Sequence, residues 1–91
     1  MILVHSLQFT NLGSVSSIVM GLAVVKIDDP LNIPQIGSRT IHRDSGKVIG
    51  VISDVIGPTS SPYAVIKLRE GVYISIGDRI ACEARRKGGR V

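Results

Sequence analysis

The chain has 91 residues, 44% of them apolar and 20% charged, with ten glycines, four prolines and one cysteine. That length makes one domain, and the composition excludes collagen-like, disordered and disulfide-scaffold classes. The formal charge of +4 comes from Arg85, Arg86, Lys87 and Arg90 at the C-terminus, because basic and acidic side chains balance over residues 1–84. The body therefore lacks the one-signed basic face of a phosphate-binding domain.

In chain order, valine, isoleucine and threonine dominate, and glycine or proline interrupts almost every window of a dozen residues, so strands are expected throughout and helices almost nowhere. A weak strand is predicted near Leu7–Thr10 and a strong one over Ile18–Ile27. Asp28-Asp29-Pro30 reads as a turn, and Pro34 keeps the following stretch extended. Further strands are predicted at Arg39–Arg43, Lys47–Ile56, Tyr63–Leu68 and Ile80–Glu83, with a short one at Val72–Ile76. Asp44-Ser45-Gly46 reads as a hairpin turn with glycine at a positive φ. Short strands at this spacing suggest a small barrel or sandwich, and closure favours the barrel because it removes strand edges. The domain is read as residues 1–84, followed by a basic tail over 85–91 that is expected to be disordered and is a candidate for weak RNA contact through Arg85, Arg86, Lys87 and Arg90.

Ile36-Gly37-Ser38-Arg39-Thr40 returns as Ile76-Gly77-Asp78-Arg79-Ile80. Two copies are too few for a solenoid. The echo is expected to mark two equivalent glycine turns, each feeding a strand.

A barrel strand ordinarily alternates between core and water. Three of the predicted strands are apolar on both faces instead, as in Ile49, Val51 and Val55 opposite Val48, Ile52 and Ile56. Without helices to cover them, part of this apolar wall is expected to lie exposed and to mark a partner site. The competing reading is that Met1–Val4 folds over the wall, or that Gly50 marks a bulge that resets the alternation.

Little in the sequence suggests catalysis. His5 and His42 read as ordinary histidines, Asp54 as a backbone-bonding aspartate near a strand end, and Cys82 as a small half-buried side chain. These residues are too few for a four-ligand zinc site, no cofactor motif is present, and no acid, base and nucleophile converge. The lone cysteine points to a reducing cytoplasm. A membrane association is not expected, since the longest apolar run, Ile18–Val25, is far below the roughly 20 residues of a span and the start lacks a charged leader. Gly57-Pro58-Thr59-Ser60-Ser61-Pro62-Tyr63 stands out as a stiff loop that would lose little entropy on docking.

From Pro34 to Leu68 the chain resembles the Gar-type small protein of archaeal H/ACA ribonucleoproteins. The resemblance rests on Ile36-Gly37-Ser38, the glycine-bracketed strand running to Asp54-Val55-Ile56-Gly57-Pro58, and Ser61-Pro62-Tyr63. It implies an all-β fold, a six-stranded Greek-key barrel similar to the second domain of translation elongation factors. It also implies a non-catalytic subunit that docks on a dyskerin-type pseudouridine synthase and promotes turnover in RNA-guided pseudouridylation, with the guide RNA an indirect partner and no small-molecule substrate. By position in the motif, the docking surface would comprise Val55, Ile56, Gly57, Pro58, Ser61, Pro62, Tyr63 and Val65. Ile56 stands where many relatives carry phenylalanine, which reshapes that anchor. The rivals are an H/ACA assembly factor, usually a longer chain, and a direct RNA-binding barrel of the translation type.

Overall fold

The computed structural model describes residues 9–84, and among these it contains six strands and no helix. They are β1 (Phe9–Val19), β2 (Leu22–Ile27), β3 (Arg39–His42), β4 (Val48–Ile56), β5 (Tyr63–Leu68) and β6 (Arg79–Glu83). All neighbours are antiparallel, and the sheet closes in the order β1–β2–β5–β4–β3–β6. The all-β Greek-key barrel expected from the sequence is the observed fold.

Three sequence expectations change. The run Ile18–Ile27 is two strands, because Met20 and Gly21 adopt φ of 47° and 81° and pair Val19 directly with Leu22. Positive φ at both central residues is the hairpin geometry whose twist matches the flanking strands. An apolar Met-Gly pair carries no polar turn signal, so the run hid the break. Conversely, β1 reaches back to Phe9 through a serine- and glycine-rich stretch with no strand-like alternation. Val72–Ile76 makes no ladder and is part of the loop between β5 and β6.

The missing alternation has a definite cause. β1 carries an extra residue without a mate in its partner's register at Leu12 and again at Ser16, and β4 does the same at Ile49 and Ser53. Each bulge shifts the side-chain phase by one. Leu12 and Val15 thus both enter the core, as do Ile49 and Ile52. The competing reading of a bulge at Gly50 is thus close, since β4 bulges at the adjacent Ile49 and a second time at Ser53. With Val25, Ile27, Ile66, Ile80 and the alanines Ala23 and Ala64, these residues fill the barrel. Thr40 is buried among them, and its hydroxyl donates to the Gly50 carbonyl at 3.0 Å.

The matching bulges reveal an internal two-fold. Exchanging β1 with β4, β2 with β5 and β3 with β6 reproduces the closed strand order. The Asp28 amide donates to the Leu12 carbonyl at 3.0 Å, and the Arg69 amide to that of Ile49 at 2.8 Å. The sequence echo lies on the same symmetry. Gly37 donates to Ile52 at 2.7 Å and Gly77 to Val15 at 2.8 Å, while Ser38 and Asp78 close their turns onto Gln35 and Ser75. Both glycines have φ of 94°, which other residues adopt only under strain. Gly37→Ala and Gly77→Ala should each lower stability by about 1–2 kcal/mol, and by similar amounts, in urea denaturation. Each faces open space, so backbone strain rather than overlap sets the cost.

Candidate functional site

The outward side chains of β1, β2, β5 and β4 form cross-strand rows. One row runs Ile56, Tyr63, Lys26; the next Asp54, Val65, Val24, Ser17; the third Val51, Lys67, Leu22, Val19. Val24 and Val65 sit at its centre and are mates under the internal two-fold, as are Lys26 and Lys67. Val19, Leu22, Val51 and Ile56 are exposed, while Val24, Val65 and Tyr63 are half-buried. A barrel whose core lies on the inner face has no packing use for these outward valines, so the wall that was expected to lie exposed does so.

Of the residues singled out from the sequence, Ile56, Tyr63 and Val65 belong to this face. Val55 does not: it pairs with buried Ala64 and packs inward against the core. The bulge at Ser53 is the reason, since it moves Asp54 into the outward row. Pro62 is also buried, its carbonyl taking the Ile27 amide at 3.1 Å. Gly57 and Pro58 are exposed and Ser61 is half-buried at the loop beside the face, where the Ser61 amide closes a turn onto Pro58 at 3.0 Å. Leu22, Val24 and Val19 belong to the predicted run Ile18–Ile27 that is apolar on both faces, not to the motif that suggested the docking surface, and the reversal at Met20-Gly21 places them on this face. Arg85, Arg86, Lys87 and Arg90, together with His5 and Met1–Val4, lie outside the described residues.

A second polar cluster lies at the β3–β4 hairpin. His42 Nε2 lies 3.1 Å from Asp78 Oδ2, and its Nδ1 accepts the Ser45 amide at 3.3 Å. The arrangement superficially resembles a nucleophile triad, with Ser45 Oγ 3.3 Å from the same nitrogen. The ring nitrogen that would take a serine proton is already engaged by a main-chain N–H, and Ser45 Oγ itself accepts the Lys47 amide at 3.3 Å. These bonds hold a turn. Its glycine, Gly46, has the positive φ anticipated for this hairpin, 73°. Asp54 Oδ1 accepts the Val55 amide at 2.8 Å, as expected for a local backbone contact. Cys82 is buried in the core, more deeply than expected, and burial raises its thiol pKa.

Among the described residues, two arginine–carboxylate pairs and a histidine–aspartate contact tie the ladder ends. Arg39 donates to Glu83 through its main-chain N–H and its guanidinium, Arg79 pairs with Asp28, and His42 with Asp78. The first two use the arginines of the sequence echo. Glu83 is held below its ordinary 4.5 chiefly by the Arg39 amide and then its guanidinium. Asp28 is held below 3.8 by hydrogen bonds from Arg79 and then Asn11, and Asp78 by the Ser75 amide and then His42. A carboxylate with a depressed folded pKa stabilises the fold above its unfolded value and loses that contribution as pH falls through the folded one. Melting temperature should therefore hold steady from about pH 7 to 5 and fall below about pH 4, and Arg79→Met should flatten the fall.

A family model described as Gar1/Naf1 RNA binding region matches residues 9–87. Among solved structures, one of the Gar1 domain of Naf1 superposes with a TM-score of 0.69 at 18% identity, covering 90% of each chain. No curated protein matches. At that identity the structural match speaks for the barrel, and the family model for the lineage. The chain belongs to the Gar1/Naf1 RNA-binding family, a non-catalytic family whose role is RNA binding associated with H/ACA particles.

Proposed function

We propose that this chain is a non-catalytic barrel subunit of an H/ACA ribonucleoprotein that docks on its dyskerin-type pseudouridine synthase and promotes substrate turnover during RNA-guided modification of rRNA. The observation that carries this reading is the apolar outer wall centred on Val24 and Val65, continuous across four strands of a closed barrel. Such a surface is built to be covered by protein, since RNA would call for clustered cations. Lys26 and Lys67 flank the valines and suit a partner face with an apolar centre and acidic margins. Rigid strands lose little freedom on docking. The chain would act by shape, positioning the synthase and its substrate, in a cytoplasm where the buried Cys82 stays reduced.

A direct RNA-binding barrel of the translation type is the second reading, favoured by the RNA-binding description of the family. Titrating the purified synthase catalytic subunit with this chain by calorimetry separates the two. A complex whose affinity changes little with salt supports docking. Absence of that complex, with steeply salt-dependent binding to H/ACA guide RNA alone, supports the second reading and sinks the first.

A further inference from the structure

A groove of about 430 Å³ runs between the β3–β4 hairpin and the loop joining β5 to β6. One lip carries His42, Ser45 and Lys47, and the other carries Tyr73; Ile49 and Ile74 line it between them. The volume lies within the range of small-ligand sites, and the lining is apolar with a few polar groups at one end. Val72 and Ile74 pack against the core on either side of Tyr73. The segment is thereby anchored while the ring between its anchors is 92% exposed. An aromatic side chain on an anchored stretch of backbone, turned almost wholly to solvent, offers its face to a planar partner.

The internal two-fold shows that the barrel does not need this equipment. Thr10 stands where Lys47 does in the other half, Cys82 stands for His42, and the corresponding loop over 28–35 has no aromatic residue. The charge at the lip is also available. Asp78 is occupied by His42, and among the described residues Lys47 forms no ion pair.

We propose that the groove binds one unpaired RNA nucleotide, its base stacked on Tyr73 and its phosphate against Lys47. Single-stranded bases are recognised by stacking on aromatic side chains with a cation at the backbone. This rests on the RNA-binding role of the family and gives it a location; it shares no residue with the apolar wall and does not depend on docking there.

The test is fluorescence anisotropy of the full chain with a labelled single-stranded octauridylate, beside a duplex RNA. Single strand should bind in preference to duplex. Tyr73→Ala should weaken it roughly tenfold and Tyr73→Phe should keep it, because stacking needs the ring and not the hydroxyl. Lys47→Ala should weaken binding and reduce the salt dependence by about one phosphate contact. Tyr73 and Lys47 are exposed, so these variants should melt like the wild type. Unchanged affinity in Tyr73→Ala would overturn the assignment, as would binding abolished solely by deleting residues 85–91. Loss of synthase binding instead of RNA binding in Tyr73→Ala would overturn it too, by giving the groove to a protein. A chain that fails to bind synthase yet keeps Tyr73-dependent RNA binding would refute the docking role and leave this site standing.

Discussion

Gly50→Ala is expected to destabilise the barrel severely. A Cβ at this position would overlap the Lys67 carbonyl oxygen and lie 2.9 Å from its carbon and 3.1 Å from Ile66 Cγ2. The obstacle is the backbone of the neighbouring strand, which cannot rotate away as a side chain can. Relief requires β4 and β5 to separate beside fully buried Ile66, at a cost of about 3 kcal/mol or more. That is a large share of the roughly 5–15 kcal/mol by which a native domain is stable. Gly13, its mate under the two-fold, meets the Lys26 carbonyl in the same way and should behave alike. Gly46→Ala is the control: its φ is positive but the space around it is open, so about 1–2 kcal/mol is expected. Urea unfolding followed by circular dichroism reads all three. A Gly50→Ala protein with a near wild-type midpoint would mean that β4 and β5 are not packed as described.

Val65→Lys is expected to abolish most binding to the synthase while leaving the barrel intact. Val65 faces outward at the middle of the wall, opposite Asp54 on β4, so a lysine there gains a cross-strand carboxylate. Its stem covers part of the surface that the valine covered. The substitution should thus be close to neutral for folding. At the interface it places a charge at the centre of an apolar patch, where single changes commonly cost about 2 kcal/mol or more, roughly 30-fold in affinity. Leu31→Lys adds the same charge at a side chain that is 94% exposed on a loop outside the wall. It should bind like the wild type, and a calorimetric titration of both variants checks the contrast.

The fold was legible because turn chemistry punctuates the strands. Gly46, Gly37 and Gly77 mark three reversals, and the Ile-Gly-x-Arg echo foreshadowed a symmetry that the backbone then displays in full. What escaped was the start of the chain. β1 is read as a strand only once its two bulges are known, since Leu12 and Val15 face inward at a spacing that no strand period predicts. The Met20-Gly21 reversal sits inside an unbroken apolar run, so two strands looked like one.

The same physics governs the candidate site. Apolar residues on both faces of the strands did announce an exposed apolar wall. Which of them face outward depends on the bulge at Ser53, and that single residue turns Val55 inward and Asp54 outward. Leu22 and Val24 come to lie beside Val65 only because β2 and β5 are neighbours in the barrel, although they stand more than forty positions apart in the chain. Linear sequence carries no trace of that pairing. The groove at Tyr73 was hidden for a related reason, because the loop that carries it resembles a short strand.

In the proposed complex, a partner covers the outer wall of β1, β2, β5 and β4. Methyl-labelled chain observed by NMR during titration with the synthase catalytic subunit tests it most directly. Docking there should shift or broaden the methyl signals of Leu22, Val24, Ile56 and Val65 together, while those of Leu31, Ile36 and Ile76 stay where they are. Perturbation confined to Leu31, Ile36 and Ile76, with Val24 and Val65 unmoved in a formed complex, would contradict it.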